Sequence, residues 1–111
     1  MNQLNFLNTQ AQKALDAVYG YGLCSAGFGY EAMNGSIKFG LKAKENGGDL
    51  EQIASAVHEG WAHVAKTFED PVYASKPEKR QARLVLANTS YLDLPEVEKE
   101  KDRVIARVLT T

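Results

Sequence analysis

The sequence predicts a single, mainly α-helical domain. Its 111 residues are enough to bury a modest core, and 44% hydrophobic with 24% charged residues is ordinary for a globular protein. Along most of the chain, apolar residues recur every three to four positions, which is the spacing of amphipathic helices. Turns rich in Gly, Pro and Asn separate these stretches. Together these observations favour a bundle of short helices over a sheet.

Residues 1–48 are interpreted as an N-terminal helical extension. A first helix is predicted from Asn5 to Tyr19, and it ends at Gly20. A run of small and aromatic residues follows as far as Tyr30. Its glycines permit close backbone approach, and its aromatic rings are more than a small monomer would readily cover. We therefore expect this region to form a homo-oligomer, for which a symmetric dimer is the commonest arrangement.

Two structures are consistent with residues 30–41. Helical spacing is kept by four residues: Tyr30, Met33, Ile37 and Leu41. A short hairpin is the alternative, because Asn34-Gly35 is a typical hairpin turn and each glycine inside a helix costs about 1 kcal/mol relative to Ala. We favour the helix, since it places Lys38, Lys42 and Lys44 on one solvated face and ends at Asn46-Gly47-Gly48.

The stretch from Asp49 to Phe68 predicts the central helix. One apolar stripe contains its large side chains: Leu50, Ile53, Val57, Trp61, Val64 and Phe68. Asp49 and Gln52 match a capping box, in which each side chain accepts a hydrogen bond from the other residue's backbone N–H. Trp61 lies in the middle of the stripe, so we expect its indole ring to be part of the core.

Two further helices are predicted after the break at Pro71. Ser75 is expected to cap the first, which extends to about Ala87 with Pro77 in its first turn. Its inward residues are predicted to be Ala82, Leu84, Val85 and Leu86. The last helix opens at Leu94-Pro95, and its apolar stripe is predicted to be Val97, Val104, Ile105 and Val108.

Composition and charge exclude several classes of protein. A net charge of −1 does not match the basic excess of a nucleic-acid-binding protein. Cys24 is the single cysteine, so neither an internal disulfide nor a cysteine metal cluster is expected. We find no signal-peptide pattern and no apolar stretch long enough to span a membrane. We therefore expect a cytoplasmic protein with no nucleic-acid or membrane partner.

The segment from His58 to His63 is similar to a zinc-protease motif, but its spacing differs. Zinc-binding helices carry histidines at i and i+4, whereas these are five apart and about 140° from each other around the helix. No acid, base and nucleophile converge elsewhere, so we expect neither a metal, nor a cofactor, nor an enzyme. His63 is predicted to be a solvated surface residue. His58 is predicted either to bond a carbonyl or carboxylate of another element, or to contact a ligand.

Three basic residues lie within one turn of the fourth predicted helix: Lys79, Arg80 and Arg83. They form either a solvated face or an anion subsite, because an arginine fork matches phosphate oxygens. Tyr73 and Tyr91 flank this helix. Each of the two rings belongs either to a surface on which a base stacks or to the core.

The segment Tyr91-Leu92-Asp93-Leu94-Pro95-Glu96-Val97-Glu98-Lys99-Glu100-Lys101-Asp102-Arg103 resembles the C-terminal signature of the ryanodine-receptor (RyR) repeat domain. Ile53-Ala54 followed by His58-Glu59-Gly60-Trp61 resembles the pattern on that family's first helix. The resemblance covers about residues 50–109. Between its two parts the chain differs, because Phe68 to Tyr73 replace an aromatic and glycine-rich segment of the family. The domain is thus divided into an extension, residues 1–48, and an RyR-like core, residues 49–111.

The resemblance implies a small helical module that binds a nucleotide or an ADP-ribose-like signalling ligand without catalysis, in bacterial or phage conflict systems. The residues expected to bind that ligand are Lys79, Arg80, Arg83, Tyr73, Tyr91, Arg103 and His58. Asp102 and Arg103 are also expected to bridge to the central helix through His58 or Glu59. The alternative function is a helical module for protein–protein interaction or oligomerisation.

Overall fold

Four α-helices and one short 3-10 helix make up the part of the chain that the structure, a computed structural model, describes: residues 13, 16, 30–67 and 75–110. The helices are α1 (Tyr30–Glu45), α2 (Leu50–Thr67), α3 (Pro77–Ala87) and α4 (Glu96–Thr110). The 3-10 helix, Tyr91–Asp93, lies between α3 and α4. Within these ranges there is no strand, so the prediction of a mainly α-helical fold is confirmed.

Residues 30–45 form a continuous helix, so the hairpin alternative for residues 30–41 is wrong. The reason is the packing of its glycines. A Cβ atom on Gly35 would lie 2.7 Å from the carbonyl oxygen of Gly60, and a Cβ atom on Gly60 would overlap the carbonyl oxygen of Gly35. Helices α1 and α2 therefore cross with their backbones in contact. This packing outweighs the low helix propensity of glycine, which is about 1 kcal/mol per residue.

The connection between α1 and α2 follows the sequence signals closely. Gly47 adopts a φ of 82°, a left-handed conformation that glycine adopts without strain. The predicted capping box of α2 is also confirmed. The Gln52 backbone N–H donates to Asp49 Oδ1, and the Asp49 N–H donates to Gln52 Oε1, each at 2.8 Å. Both backbone groups of this helix start are thereby satisfied.

The core lies between α1, α2 and α4. Its fully buried large side chains include Met33 and Ile37 from α1, Ile53 and Val57 from α2, and Ile105 from α4. A boundary between residues 48 and 49 therefore separates two helices that share one hydrophobic core. A second, smaller cluster joins α2 to α3 and consists of Trp61, Ala62 and Ala87. Only 7% of Trp61 is exposed, which confirms the prediction that its ring is core.

Helix α3 presents a partly different face to the protein from the one predicted: Leu86, predicted to point inward, packs against both hydrophobic clusters, but the other predicted residues are not buried. Its buried residues are Arg83 and Ala87, whereas Ala82 and Val85 are exposed. The Arg83 side chain lies over the Trp61 ring and so occupies the inward side of the helix. Ser75 does not cap α3: the N-cap is Lys76, which makes no side-chain capping hydrogen bond.

In α4 the buried stripe includes Val104, Ile105 and Leu109, while Val97, predicted to point inward, is 53% exposed. Of the predicted first helix, the structure describes residues 13 and 16, which are helical. The rest of that helix, the glycine-rich run with Cys24, and residues 68–74 with Tyr73 lie outside the described residues. Within the ranges 30–67 and 75–110, no helix combines the length and the apolar character that a membrane crossing requires.

Candidate functional site

The three basic residues of α3 do not form one surface. Lys79 and Arg80 are exposed, but Arg83 is buried. Its guanidinium carbon lies 5.7 Å from the centroid of the Trp61 ring, a distance typical of a cation–π contact. A phosphate that approached α3 from solvent would therefore meet Lys79 and Arg80 and not Arg83.

Tyr91 and Arg103 lie together, and they share a carboxylate. The Tyr91 hydroxyl donates to Glu51 Oε2 at 2.7 Å. Arg103 donates from Nη2 to Glu51 Oε1 at 2.9 Å and from Nη1 to Glu96 Oε2 at 3.0 Å. This network links α2, the 3-10 helix and the start of α4, so Arg103 bridges to the central helix through Glu51 and not through His58 or Glu59.

The electrostatics of this network follow from its contacts. The hydrogen bond from Arg103 lowers the pKa of Glu51 and that of Glu96. Burial, together with the hydrogen bond to Glu51, raises the pKa of the Tyr91 hydroxyl. The guanidinium charge of Arg103 is already matched by carboxylates, and the Tyr91 ring is buried. The arrangement is therefore suited to holding helices together more than to receiving a phosphate and a base.

His58 lies in a second polar contact, which is buried. Its Nε2 atom lies 2.7 Å from the carbonyl oxygen of Thr89. A bond to a carbonyl of another element is one of the two roles predicted for this histidine from the sequence. Its Nδ1 atom lies 3.8 Å from Asp102 Oδ2, and its ring stacks on Trp61 with centroids 5.9 Å apart. Burial raises the pKa of Asp102 well above its usual range. His58 thus joins α2, α4 and the loop after α3.

An open depression lies on the outer face of α1. Its volume is about 410 Å³, and it is lined by Lys38, Phe39, Lys42, Ala43 and Asn46. The Phe39 ring is 41% exposed. It is oriented by stacking on the His63 ring of α2, with centroids 6.1 Å apart and 27° between the planes. Two exposed ammonium groups and an exposed, oriented aromatic ring therefore lie at one place.

The sequence pattern of α1 predicts a solvated face for its lysines and does not reveal this depression. A signal was present, because Lys38 and Lys42 are one helical turn apart and Phe39 is a large apolar residue between them. Stacking of Phe39 on His63 depends on how α1 crosses α2. The spacing of residues within a single helix does not reveal that crossing. The crossing is fixed by Gly35 and Gly60, far apart in sequence.

No group of three or more His, Cys, Asp or Glu side chains suited to a metal ion occurs in the part of the chain that the structure describes. His58 is buried and His63 is exposed, so the two imidazoles face different surroundings. Comparisons of the chain with protein-family models, curated proteins and solved structures give no match. The RyR-like relationship therefore stays a prediction from the sequence motifs.

Proposed function

We propose that this protein is a non-enzymatic helical module that binds a small nucleotide-derived ligand, of the nucleotide or ADP-ribose type, in the depression on α1. The single observation that carries the proposal is the position of the exposed Phe39 ring beside Lys38 and Lys42 in one depression. The RyR-like motifs support the same class of ligand.

A nucleotide-derived ligand needs cationic donors for its phosphate oxygens and a flat apolar surface for its base. Lys38 and Lys42 supply the donors, since each ammonium group carries three N–H bonds. The Phe39 ring, held by His63, supplies the flat surface. A volume of about 410 Å³ lies within the usual range for small-ligand sites, about 300–1,000 Å³.

The originally predicted residues fit this role less well. Arg83 and Tyr91 are buried, and Arg103 is bound to carboxylates. Lys79 and Arg80 remain exposed on α3 and are the alternative phosphate donors. Lys38 and Lys42, by contrast, line one depression together with the exposed Phe39 ring.

Calorimetric titration with AMP and ADP-ribose tests the proposal and its location. Lys42→Ala should weaken binding by about 1.5–3 kcal/mol, the usual contribution of a charged hydrogen bond, which is about 10- to 150-fold in Kd. Phe39→Ala should weaken it by about 1–3 kcal/mol through lost stacking. Lys79→Ala removes the same charge from α3 and should leave Kd unchanged.

Two outcomes contradict the proposal. If Lys79→Ala weakens binding and Lys42→Ala does not, the ligand binds at α3. If neither AMP nor ADP-ribose binds the wild-type protein at millimolar concentration, a nucleotide-binding function is excluded for these ligands. Circular dichroism of each variant should match the wild type, because all three side chains are exposed.

A helical interaction module is the second candidate function, and one observation favours it. The Leu92 side chain, in the 3-10 helix, is 80% exposed, and Val97 near the start of α4 is exposed as well. Two large apolar residues close in sequence are suited to contact with a partner or a second copy. Light scattering of the wild type and of Leu92→Ser tests this. A dimer that Leu92→Ser dissociates would support an interaction through this surface, and a monomer at high concentration would contradict self-association.

A further inference from the structure

The contact between His58 and Asp102 restricts where protons can lie. The Thr89 carbonyl oxygen, 2.7 Å from Nε2 of His58, can only accept a hydrogen bond, so Nε2 must carry a hydrogen. A neutral ring then presents the lone pair of Nδ1 on its other side. Nδ1 faces Asp102 Oδ2 at 3.8 Å. If the Asp102 carboxylate were ionised, its oxygen and the Nδ1 lone pair would both be hydrogen-bond acceptors and would repel each other.

Burial makes that opposition unfavourable. His58 is 3% exposed and Asp102 is 4% exposed, so water does not solvate a charge on either side chain. A lone buried carboxylate is strongly disfavoured in such surroundings. A single proton on Nδ1 or on Oδ2 removes the conflict, because the pair then has no net charge and two acceptors no longer face each other. At 3.8 Å the contact is electrostatic and longer than a hydrogen bond.

The neighbouring charged groups do not replace this proton. On α4, Glu98 adds negative potential at Asp102, while Lys101 and Arg103 add positive potential. Lys101 Nζ, however, lies 3.3 Å from Glu98, and Arg103 is bound to Glu51 and Glu96. The described part of α2 contributes His58, and the loop after α3 contributes the neutral Thr89 carbonyl. From α3, the Arg83 guanidinium lies over the Trp61 ring on which His58 stacks, so it adds positive potential near the histidine and does not contact Asp102. Burial, followed by Glu98, raises the pKa of Asp102 well above its usual range.

We propose that the His58–Asp102 pair is a pH-sensitive contact that retains one proton at neutral pH and releases it as the pH rises, which weakens the packing of α2 against α4. The inference is independent of the proposed ligand site, since neither residue lines the depression on α1. Because the His58 ring also stacks on Trp61, the same proton influences the cluster between α2 and α3.

The direction of the pH effect follows from counting protons. In the unfolded chain Asp titrates near pH 3.9 and His near pH 6.5, so between these values the unfolded pair also holds one proton and the pair adds no pH dependence. Above about pH 6.5 the unfolded chain loses this proton, and only the folded His58–Asp102 pair keeps it. The folding equilibrium constant should then fall about tenfold per pH unit until the folded pair releases its proton.

Asp102→Asn is the informative variant, because it replaces the carboxyl group with an amide of nearly the same shape that is neutral at every pH. Its folded pair needs no extra proton, whereas its unfolded chain still protonates His58 below about pH 6.5. Its stability should therefore rise with pH up to that value and then stay level. The ratio of the two folding constants, variant over wild type, should grow about tenfold per pH unit across both regions.

Urea unfolding of the full chain between pH 5 and pH 9 measures this ratio, with those pH values chosen to bracket the unfolded histidine at about 6.5. Asp93→Asn makes the same change at an exposed site, and His63→Gln removes the other histidine. Both controls should follow the wild-type pH dependence. Parallel curves for wild type and Asp102→Asn would overturn the proposal.

A direct measurement on the wild type covers the case in which Asp102→Asn does not fold. Infrared spectroscopy at neutral pH should show the carbonyl stretch of one protonated carboxylic acid, or nitrogen NMR should show a His58 ring protonated on both nitrogens. Either signal, lost as the pH rises, supports a retained proton. The absence of both signals at neutral pH would overturn it.

Discussion

Two arginines that look alike in the sequence have different surroundings in the fold. Arg83 is buried over the Trp61 ring, whereas Arg103 lies at the surface and binds Glu51 and Glu96. Tyr91 is similar: polar residues surround it in sequence, yet it is 4% exposed. Residue type and spacing predict that a group is basic or aromatic. Packing decides which neighbour from a distant helix covers the group. For this reason Arg83 is buried over Trp61, whereas Tyr91 and Arg103 share Glu51.

At Trp61 we expect a large effect on stability. Trp61→Ala should lower the free energy of unfolding by about 3–5 kcal/mol, because it removes buried apolar surface, leaves a cavity and uncovers the Arg83 guanidinium. Urea denaturation measures the loss. A loss below about 1 kcal/mol, the range of ordinary surface changes, would mean that the ring is not part of the core.

For Arg103 we expect an effect on the acid side of the stability profile. Its hydrogen bonds lower the pKa of Glu51 and Glu96 in the folded state, so their stabilising contribution is present above the ordinary glutamate pKa of about 4.3 and is lost as the pH falls. Arg103→Met should make the free energy of unfolding depend less steeply on pH in this acid range, the acid limb of the profile. Its effect at neutral pH should be much smaller than that of Trp61→Ala and should shrink with added salt, because the pairs are exposed.

Urea unfolding at several values between pH 2 and pH 6, chosen to bracket about 4.3, measures this change. Lys79→Met, at an exposed position on α3, is the control and should keep the wild-type acid limb. An acid limb of unchanged slope in Arg103→Met would show that the network does not contribute to the pH dependence.

At the scale of the helices, local signals predicted the connection between α1 and α2 correctly, whereas the predicted Ser75 cap of α3 is wrong. The Asp49–Gln52 capping box and the left-handed Gly47 are the two features of that connection. The predicted inward face of α3 is wrong in part: Leu86 packs against the core, but hydrophobicity alone also predicts Val85 to be inward. Val85 is 55% exposed, and the long side chain of Arg83 fills the space beside Trp61 instead.

The crossing of α1 and α2 gives a prediction whose sign is informative. Helix propensity alone would make Gly60→Ala stabilising by about 1 kcal/mol. The structure reverses this, since the added Cβ would overlap the Gly35 carbonyl oxygen. We expect a loss of about 1–3 kcal/mol from overpacking, measured by urea denaturation.

Gly47→Asn is the control for this substitution. A Cβ atom at Gly47 meets no other atom within 4 Å, and asparagine tolerates the left-handed conformation. It should change stability by much less than Gly60→Ala. A stabilised Gly60→Ala protein would show that the two backbones are not in contact.

For the whole molecule, composition and periodicity predicted the helical class. They did not predict that α1, α2 and α4 share one core. Periodicity identifies which face of a helix is apolar, but it does not say which other helix covers that face. Met33 and Ile37, in the stretch assigned to an extension, are fully buried against residues of α2 and α4. The depression beside Phe39 depends on the same assembly.

We expect the fold to be independent of bound metal. The two histidines have different surroundings, one buried and one exposed, and the described residues offer no cluster of three or more metal ligands. Thermal melts with and without EDTA should give the same Tm. A marked drop in Tm with the chelator would indicate a metal that the predictions did not anticipate.

The close contact of Gly35 with Gly60 also affects how a displacement travels through the protein. Elsewhere in a core, a layer of side chains can change rotamers and absorb a small shift of one helix. Where α1 crosses α2 the two main chains touch, so this layer is missing. A ligand that displaces α1 from its outer face should therefore displace α2 with it, so that the two helices move as one rigid body. Hydrogen exchange should then change in both helices on binding, although only α1 lines the depression.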